Sequence, residues 1–260
     1  AEHPRSLAGL AQAGFLGRVL VETPLFHCSG LTPPPGPGPV FVGYNLRFHP
    51  LVARLAELLA GRRIVSIQAY VGQHLSLWRP GRDFRATYSA HRDQGGGVLR
   101  DLSHELDLVQ FLAGPWVRVA ALAGTFGDLG IQAEDTACLL LETGSCPAVT
   151  VQLNYLDPRP RRELLVLAEG LSLKADFVAG ELETPQGLER FVVERDATYL
   201  AQARALDDST LAVMFRGEFV GLLQTHALIA SKISLQLARH LGQRLRSISL
   251  PQPQPQEVVA

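Results

Sequence analysis

The chain has 260 residues, 47% of them hydrophobic and 19% charged, with a formal net charge of −1. This composition supports a sizeable core and excludes a disordered chain, and the near-neutral balance removes the electrostatic case for nucleic acid or an anionic membrane as partner. Lysine occurs only at Lys174 and Lys232, and the three cysteines, Cys28, Cys138 and Cys146, lack C-x-x-C spacing. Such cysteines argue against a disulfide framework or a cysteine zinc site and fit a reduced, cytoplasmic compartment. No run reaches the roughly 18 to 20 apolar residues of a membrane helix. Glu2, His3 and Arg5 ahead of a glycine-interrupted helix do not make a secretory signal.

Residues 1–17 read as an amphipathic helix and 18–22 as a short apolar strand, the back half of a βαβ unit whose first half is absent. The proline- and glycine-rich stretch 26–39 reads as an extended connector. A buried strand over 40–44 follows, then Asn45-Leu46-Arg47-Phe48-His49-Pro50, with proline as the entry residue of a helix over 51–60 that Gly61 ends. Over 64–77 the period changes to two, which predicts one long strand.

The loop from Trp78 to Arg92 is dense in arginines and aromatics. Trp78, Arg79, Arg82, Arg85 and Tyr88 suit a clamp for a carboxylate, phosphate or sugar, since arginine offers bidentate donors and rings stack on sugar faces. A surface loop whose arginines pair with nearby acids fits equally.

Gly95-Gly96-Gly97 then opens a helix carrying Asp101, His104, Glu105 and Leu108 on one stripe, beside an apolar row of Val98, Leu102, Leu106, Val109 and Ala113. Three glycines permit close approach to a ligand or a neighbouring strand. The stripe reads either as the wall of a ligand site or as a first-turn acid beside a solvated face. Strands follow over 117–126, 136–142, 148–155, 163–169 and 171–177, joined by turns, which predicts an open and mainly antiparallel sheet. The stretch 198–241 is helical by its spacing, with His226 and His240 as helix-face residues, and the Pro/Gln tail 251–256 forms no helix.

The runs 19–25, 43–50 and 95–101, with the Asp101-Leu102-Ser103-His104-Glu105-Leu106-Asp107 helix, together resemble the Gfo/Idh/MocA oxidoreductases, two-domain enzymes that use NAD or NADP on sugars, polyols and related compounds. The 78–90 loop and the 101–107 motif look like a branch linked to bacterial surface-sugar metabolism. The resemblance implies a Rossmann-type parallel remnant over 1–45, an α+β domain over 46–245 with an open, mainly antiparallel sheet packed by helices on one face, and a tail over 246–260. It places Glu22, Thr23, Pro24, Asn45 and Arg47 toward the cofactor, and Asp101 with His104 or Glu105 toward a sugar-like substrate. A homodimer or homotetramer through the open sheet is the expected assembly.

Two departures bear on activity. Where the family has Glu-Lys-Pro this chain has Glu22-Thr23-Pro24, and a threonine hydroxyl cannot act as a cationic acid. No G-x-G-x-x-G turn occurs in the chain, and Gly95-Gly96-Gly97 stands too late to serve as one. The expected function is therefore hydride transfer on a sugar or polyol, truncated or impaired in this chain, with weak NAD(H) binding by the polypeptide alone. The alternative is a catalytically silent ligand-binding or oligomerisation module. A metal-dependent hydrolase using Asp101, His104, His49, His74 or His91 lacks H-E-x-x-H spacing.

Overall fold

The computed structural model describes residues 3–23, 25, 26 and 38–205. They belong to one compact unit, Ala1–Leu211. Pro24, Cys28, the proline-rich loop over 27–37, the helices expected beyond residue 205 with His226, Lys232 and His240, and the Pro/Gln tail lie outside the described residues.

The helix α1 (His3–Gln12) leads to β1 (Val19–Glu22), which pairs in parallel with β2 (Val40–Gly43) in a two-stranded sheet. Leu7, Val19 and Val21 are buried together as a small core of their own. The chain then makes a 3-10 turn over Asn45–Phe48 and enters α2 (Pro50–Leu59). His49 caps that helix, its Nδ1 accepting from the Leu51 amide at 3.2 Å, with proline at the first helical position.

The main body is an eight-stranded sheet. In chain order its strands are β3 (Ile64–Gly72), β4 (Trp116–Gly124), β5 (Thr136–Thr143), β6 (Ala148–Asn154), β7 (Arg161–Ala168), β8 (Leu171–Asp176), β9 (Glu181–Thr184) and β10 (Gly187–Arg190). Across the sheet the order is β10-β9-β8-β7-β3-β6-β5-β4, antiparallel except where β3 runs parallel to β6. Helices α2, α3 (Val98–Asp101) and α4 (His104–Ala113) share one core cluster with a single face of it, in which Leu51, Val52, Leu55, Ile67 and Val109 have no exposed surface. A fully buried leucine of this kind contributes about 2 kcal/mol. Helix α5 (Ala197–Ala205) returns to the 45–48 turn. The sheet's opposite face carries exposed Leu122, Leu140, Leu165 and Leu167. No helix among the described residues is long and apolar enough to cross a membrane.

Several expectations are corrected. The alternation over 64–77 is a strand only as far as Gly72, because His74 caps a 3-10 turn at Leu75–Leu77 and the amides of His74 and Leu75 donate to the carbonyls of Asp157 and Tyr155. The hairpin β9–β10 has no counterpart in the sequence reading, since its short charged strands carry little apolar alternation. The single helix expected after Gly97 is two helices. Leu102 leaves helical geometry at φ −107, ψ 28, and buried Leu102 fills the core at the break, so Asp101 and His104 do not share one helical stripe. Strand β4, expected to alternate, is the sheet's edge strand and is exposed on both faces.

Candidate functional site

The glycine triplet sets the site's back wall. A Cβ on Gly96 would lie 2.1 Å from the Tyr88 carbonyl oxygen, and one on Gly97, at φ +120, would lie 2.2 Å from Glu134 Oε1. Only glycine lets α3 start this close to the Tyr88–Ser89 backbone and the Glu134 carboxylate. The close approach is thus to the chain's own loops, and it carries Asp101 to Ser89 and Tyr155.

Fully buried Tyr155 donates its hydroxyl to Asp101 Oδ2 at 2.7 Å and meets the Trp78 ring edge-on at 5.3 Å. Burial raises the Asp101 proton affinity, while the Ser89, Tyr155 and Tyr88 hydroxyls and the Arg79 guanidinium work against it. Oδ1 of Asp101 is buried with no hydrogen bond of good geometry. Tyr88 is pushed up to about 12 by burial and by Asp101. Arg79 lies over the Tyr88 ring at 5.9 Å.

Across the break, His104 and Glu105 point different ways. The His104 ring meets Tyr44 edge-on at 5.5 Å, and the Tyr44 hydroxyl reaches Ser103 Oγ at 3.5 Å. Burial, with Arg162 adding to it, lowers His104 to about 4, so the imidazole is neutral at physiological pH. Its Nδ1 is buried without a partner. Glu105 turns inward: its side chain is 3% exposed and its Oε1 lies 2.7 Å from Nε of Arg162 on β7. Burial raises the Glu105 proton affinity and Arg162 opposes the rise.

The residues expected on the cofactor side are mostly spoken for. Arg47 forks onto Asp107, with Nε donating to Oδ2 at 2.8 Å, and lies over the Phe111 ring. Asn45 Nδ2 donates to Thr198 Oγ1 on α5 at 2.9 Å. At the end of β1, a Cβ on Gly43 would meet Glu22 Oε2 and Gln202 Nε2, each at 3.3 Å, so α5 closes on the ends of β1 and β2. Thr23, next in the chain, is half-buried. These groups make no cradle for a pyrophosphate, and the sequence holds no glycine-rich turn for one.

The loop arginines do not converge either. Arg85 Nε donates to the Leu129 carbonyl at 2.9 Å and its guanidinium covers the Phe84 ring, while Arg82 sits on the exposed surface, leaving Arg79 as the one near Asp101. Ser89, Tyr155, Tyr44, Arg162 and Tyr199 were not anticipated, because each reaches the site from a different element and none carries a local motif. Among the described residues, no three His, Cys, Asp or Glu side chains gather to hold a metal ion.

A sequence profile of the GFO/IDH/MocA C-terminal domain matches residues 52–173. No curated protein matches the chain. Similar solved structures include GenD2 from gentamicin A biosynthesis in complex with NAD, at TM-score 0.60 and 22% identity over 79% of this chain and 64% of that one. A levoglucosan dehydrogenase in complex with NADH and levoglucosan aligns at TM-score 0.61 and 17% identity, over 79% of this chain and 67% of its own. The WlbA dehydrogenase from Bordetella pertussis, in complex with NADH and UDP-GlcNAcA, aligns at TM-score 0.57 and 21% identity, over 78% and 62%. The chain thus spans about two thirds or less of the length of these structures, which at such identities show its fold. Residues 52–173 are thus similar to the C-terminal domain of the Gfo/Idh/MocA oxidoreductases, and the solved structures share the fold.

Proposed function

We propose that this chain forms the substrate side of an NAD(P)-dependent oxidoreductase acting on a sugar, polyol or nucleotide sugar. The observation that carries the reading is a group of buried polar atoms without a hydrogen bond at the α3–α4 junction, of which Asp101 Oδ1 and His104 Nδ1 make no ion pair while the two Glu105 oxygens lie beside Arg162. A polar atom buried without a partner costs about 1 to 3 kcal/mol, and a ligand hydroxyl removes that cost. In this reading Asp101 accepts from and orients a substrate hydroxyl. His104, being neutral, accepts the proton of the hydroxyl that is oxidised. Glu105 is assigned to the support of α4 rather than to the substrate.

A bound nicotinamide supplies the hydride acceptor in such enzymes, and the dehydrogenases aligned above were crystallised with NAD or NADH. The residues described here do not form a dinucleotide cradle, so no step is assigned to one. We assign 1–45 to a parallel nucleotide-binding-type unit, 46–245 to the substrate domain and 246–260 to a tail. The test is calorimetric titration of the 260-residue chain with a free sugar, an anhydrosugar and a nucleotide sugar. One of the three binds, and Asp101→Asn weakens it at least tenfold; no binding to any of them overturns the reading. NADH titrated by fluorescence is expected to show no micromolar binding, and micromolar binding overturns that expectation.

Thr23 favours a second reading, a catalytically silent homologue, because general acid-base help is worth about 100- to 10,000-fold and the expected lysine is missing. Thr23→Lys, in a protein extended to bind NAD(H), raises turnover under the first reading; no gain shows that the proton moves through other groups.

For the exposed sheet face we propose a second copy as partner. Leu122, Leu140, Leu165 and Leu167 are 41 to 65% exposed on it, and exposed apolar side chains gathered on one face suit a protein–protein contact. Sedimentation is expected to give a dimer or tetramer that Leu140→Glu dissociates, and a monomeric wild type overturns the assignment.

A further inference from the structure

Tyr155 has no exposed surface, and a phenylalanine would bury the same ring without needing a partner for a hydroxyl. That partner is Asp101 Oδ2, at 2.7 Å. What tyrosine adds at this position is a donor that cannot move. Its main chain is tied on both sides, the amide donating to the Asp135 carbonyl at 2.8 Å and the carbonyl accepting from the Leu75 amide at 3.0 Å. Its ring stands edge-on to Trp78 at 5.3 Å, and the Trp78 indole N–H donates to the Gln73 carbonyl at 3.3 Å.

We propose that Tyr155 is a positioning residue for Asp101, fixing the plane of the carboxyl group and so aiming Oδ1 at a hydroxyl of the sugar. The inference rests on the reading that Asp101 faces substrate, and it adds the group that orients that residue. Asp101 is the last residue of α3, its amide bonded to the Gly97 carbonyl at 3.0 Å. The torsion that turns a carboxyl group about its own axis is broad and roughly two-fold, so a fixed backbone still leaves the two oxygens interchangeable. One hydrogen bond from a rigid donor distinguishes them. Oδ2 goes to Tyr155, and Oδ1 is left buried as the acceptor that remains.

The same contact sets the chemistry of the ligand. Burial and the neighbouring Asp101 both keep the proton on the Tyr155 hydroxyl, which therefore donates while the carboxyl accepts, and that donation favours the ionised carboxylate. A carboxylate accepts only, so the ligand atom that meets Oδ1 carries a proton: a free hydroxyl rather than an ether oxygen or a ketone.

The experiment is a double-mutant cycle in the whole 260-residue chain, with wild type, Tyr155→Phe, Asp101→Asn and the double variant each titrated calorimetrically with D-glucose, levoglucosan and UDP-glucose. For the sugar that wild type binds, Tyr155→Phe weakens affinity about fivefold, the worth of one hydrogen bond, and costs less than about twofold once Asp101 is asparagine. Equal losses in both backgrounds mean that Tyr155 acts on the pocket independently of Asp101, and they overturn the proposal. So does an unchanged affinity in Tyr155→Phe.

A readout without ligand runs beside it, an NMR titration of the Asp101 carboxyl carbon, the signal identified by its loss in Asp101→Asn. The groups facing this carboxyl are Tyr155 after β6, Arg79, Tyr88 and Ser89 from the 78–92 loop, and Glu134, whose carboxylate lies against Gly97 at the start of α3. Tyr155→Phe raises the midpoint, because a donor to the charged form is lost, and an unchanged midpoint overturns the proposal. Should Tyr155→Phe fail to fold, the wild type still decides: its Tyr155 hydroxyl proton is visible by NMR as a slowly exchanging, hydrogen-bonded signal, and its absence overturns the proposal. If wild type binds none of the three sugars, the functional reading fails, and the carboxyl titration alone decides whether Tyr155 holds Asp101.

Discussion

The segment from Asn45 to Arg47 and the junction between α3 and α4 carry similar polar residues, and both read from sequence as ligand-facing. The fold treats them in opposite ways. Asn45 gives its amide hydrogen to Thr198 and Arg47 gives its fork to Asp107, so the protein's own groups take up these donors. At the junction, Asp101 has one oxygen engaged by Tyr155 and the other buried without a partner, and His104 has a buried ring nitrogen in the same condition. Residue type nominates a site group; leftover hydrogen-bonding capacity with no ion pair to take it up, as at Asp101 and His104 but not at Glu105 next to Arg162, favours it over a structural one.

The largest test of that distinction is pH. A histidine whose folded value is below its unfolded one binds its proton only in the unfolded chain across that window, so it removes stability as pH falls. His104 moves from 6.5 to about 4, which is on the order of 3 kcal/mol lost between those limits. Buried Asp101 and Glu105, both raised, work with the opposite sign from the carboxylate range upward, and His49 adds a slope of the same sign as His104. Subtracting the urea-derived stability curve of His104→Gln from that of the wild type isolates the single group. A flat difference between pH 4 and 6.5 would place His104 in water and erase the contrast.

Second in size is Arg47→Met. Breaking a buried pair costs about 3 to 5 kcal/mol. With Arg47 43% exposed and Asp107 7% exposed, water takes over part of the guanidinium's role, and about 2 kcal/mol is expected. Sugar affinity should stay within twofold. Lost affinity at unchanged stability would instead return Arg47 to the ligand side.

Legibility followed sequence separation. The strands β1 and β2, the helix after His49-Pro50 and the strands at 136–142 and 148–155 were readable because apolar period and punctuation are local signals. Placement of β3 between β6 and β7 was not, since that pairing joins residues about 80 to 100 positions apart. The helix break at Leu102 was hidden for another reason. Leu102 continues the apolar row at helical spacing, so nothing local in the sequence marks the turn of its backbone out of the helix. Of the site, Asp101 and His104 stood out by their motif, while Tyr155 lies 54 residues from the carboxylate it holds and resembles any strand-end aromatic until the fold brings it there.

The smallest expected stability effect is the most discriminating. Asp101→Asn keeps the shape of the side chain and an oxygen for the Tyr155 hydroxyl, and it removes a carboxyl whose charge burial disfavours. Its stability should therefore shift by less than about 1 kcal/mol, toward neutral or more stable, as is common where a group is kept for function at a cost in stability. Sugar affinity should meanwhile fall at least tenfold, the reverse of Arg47→Met on both counts. Paired urea melts and calorimetric titrations of the two variants measure this crossing. If Asp101→Asn destabilises the chain as much as Arg47→Met and leaves binding intact, then the unpartnered oxygen at the junction is a packing feature, and the two regions differ in degree only.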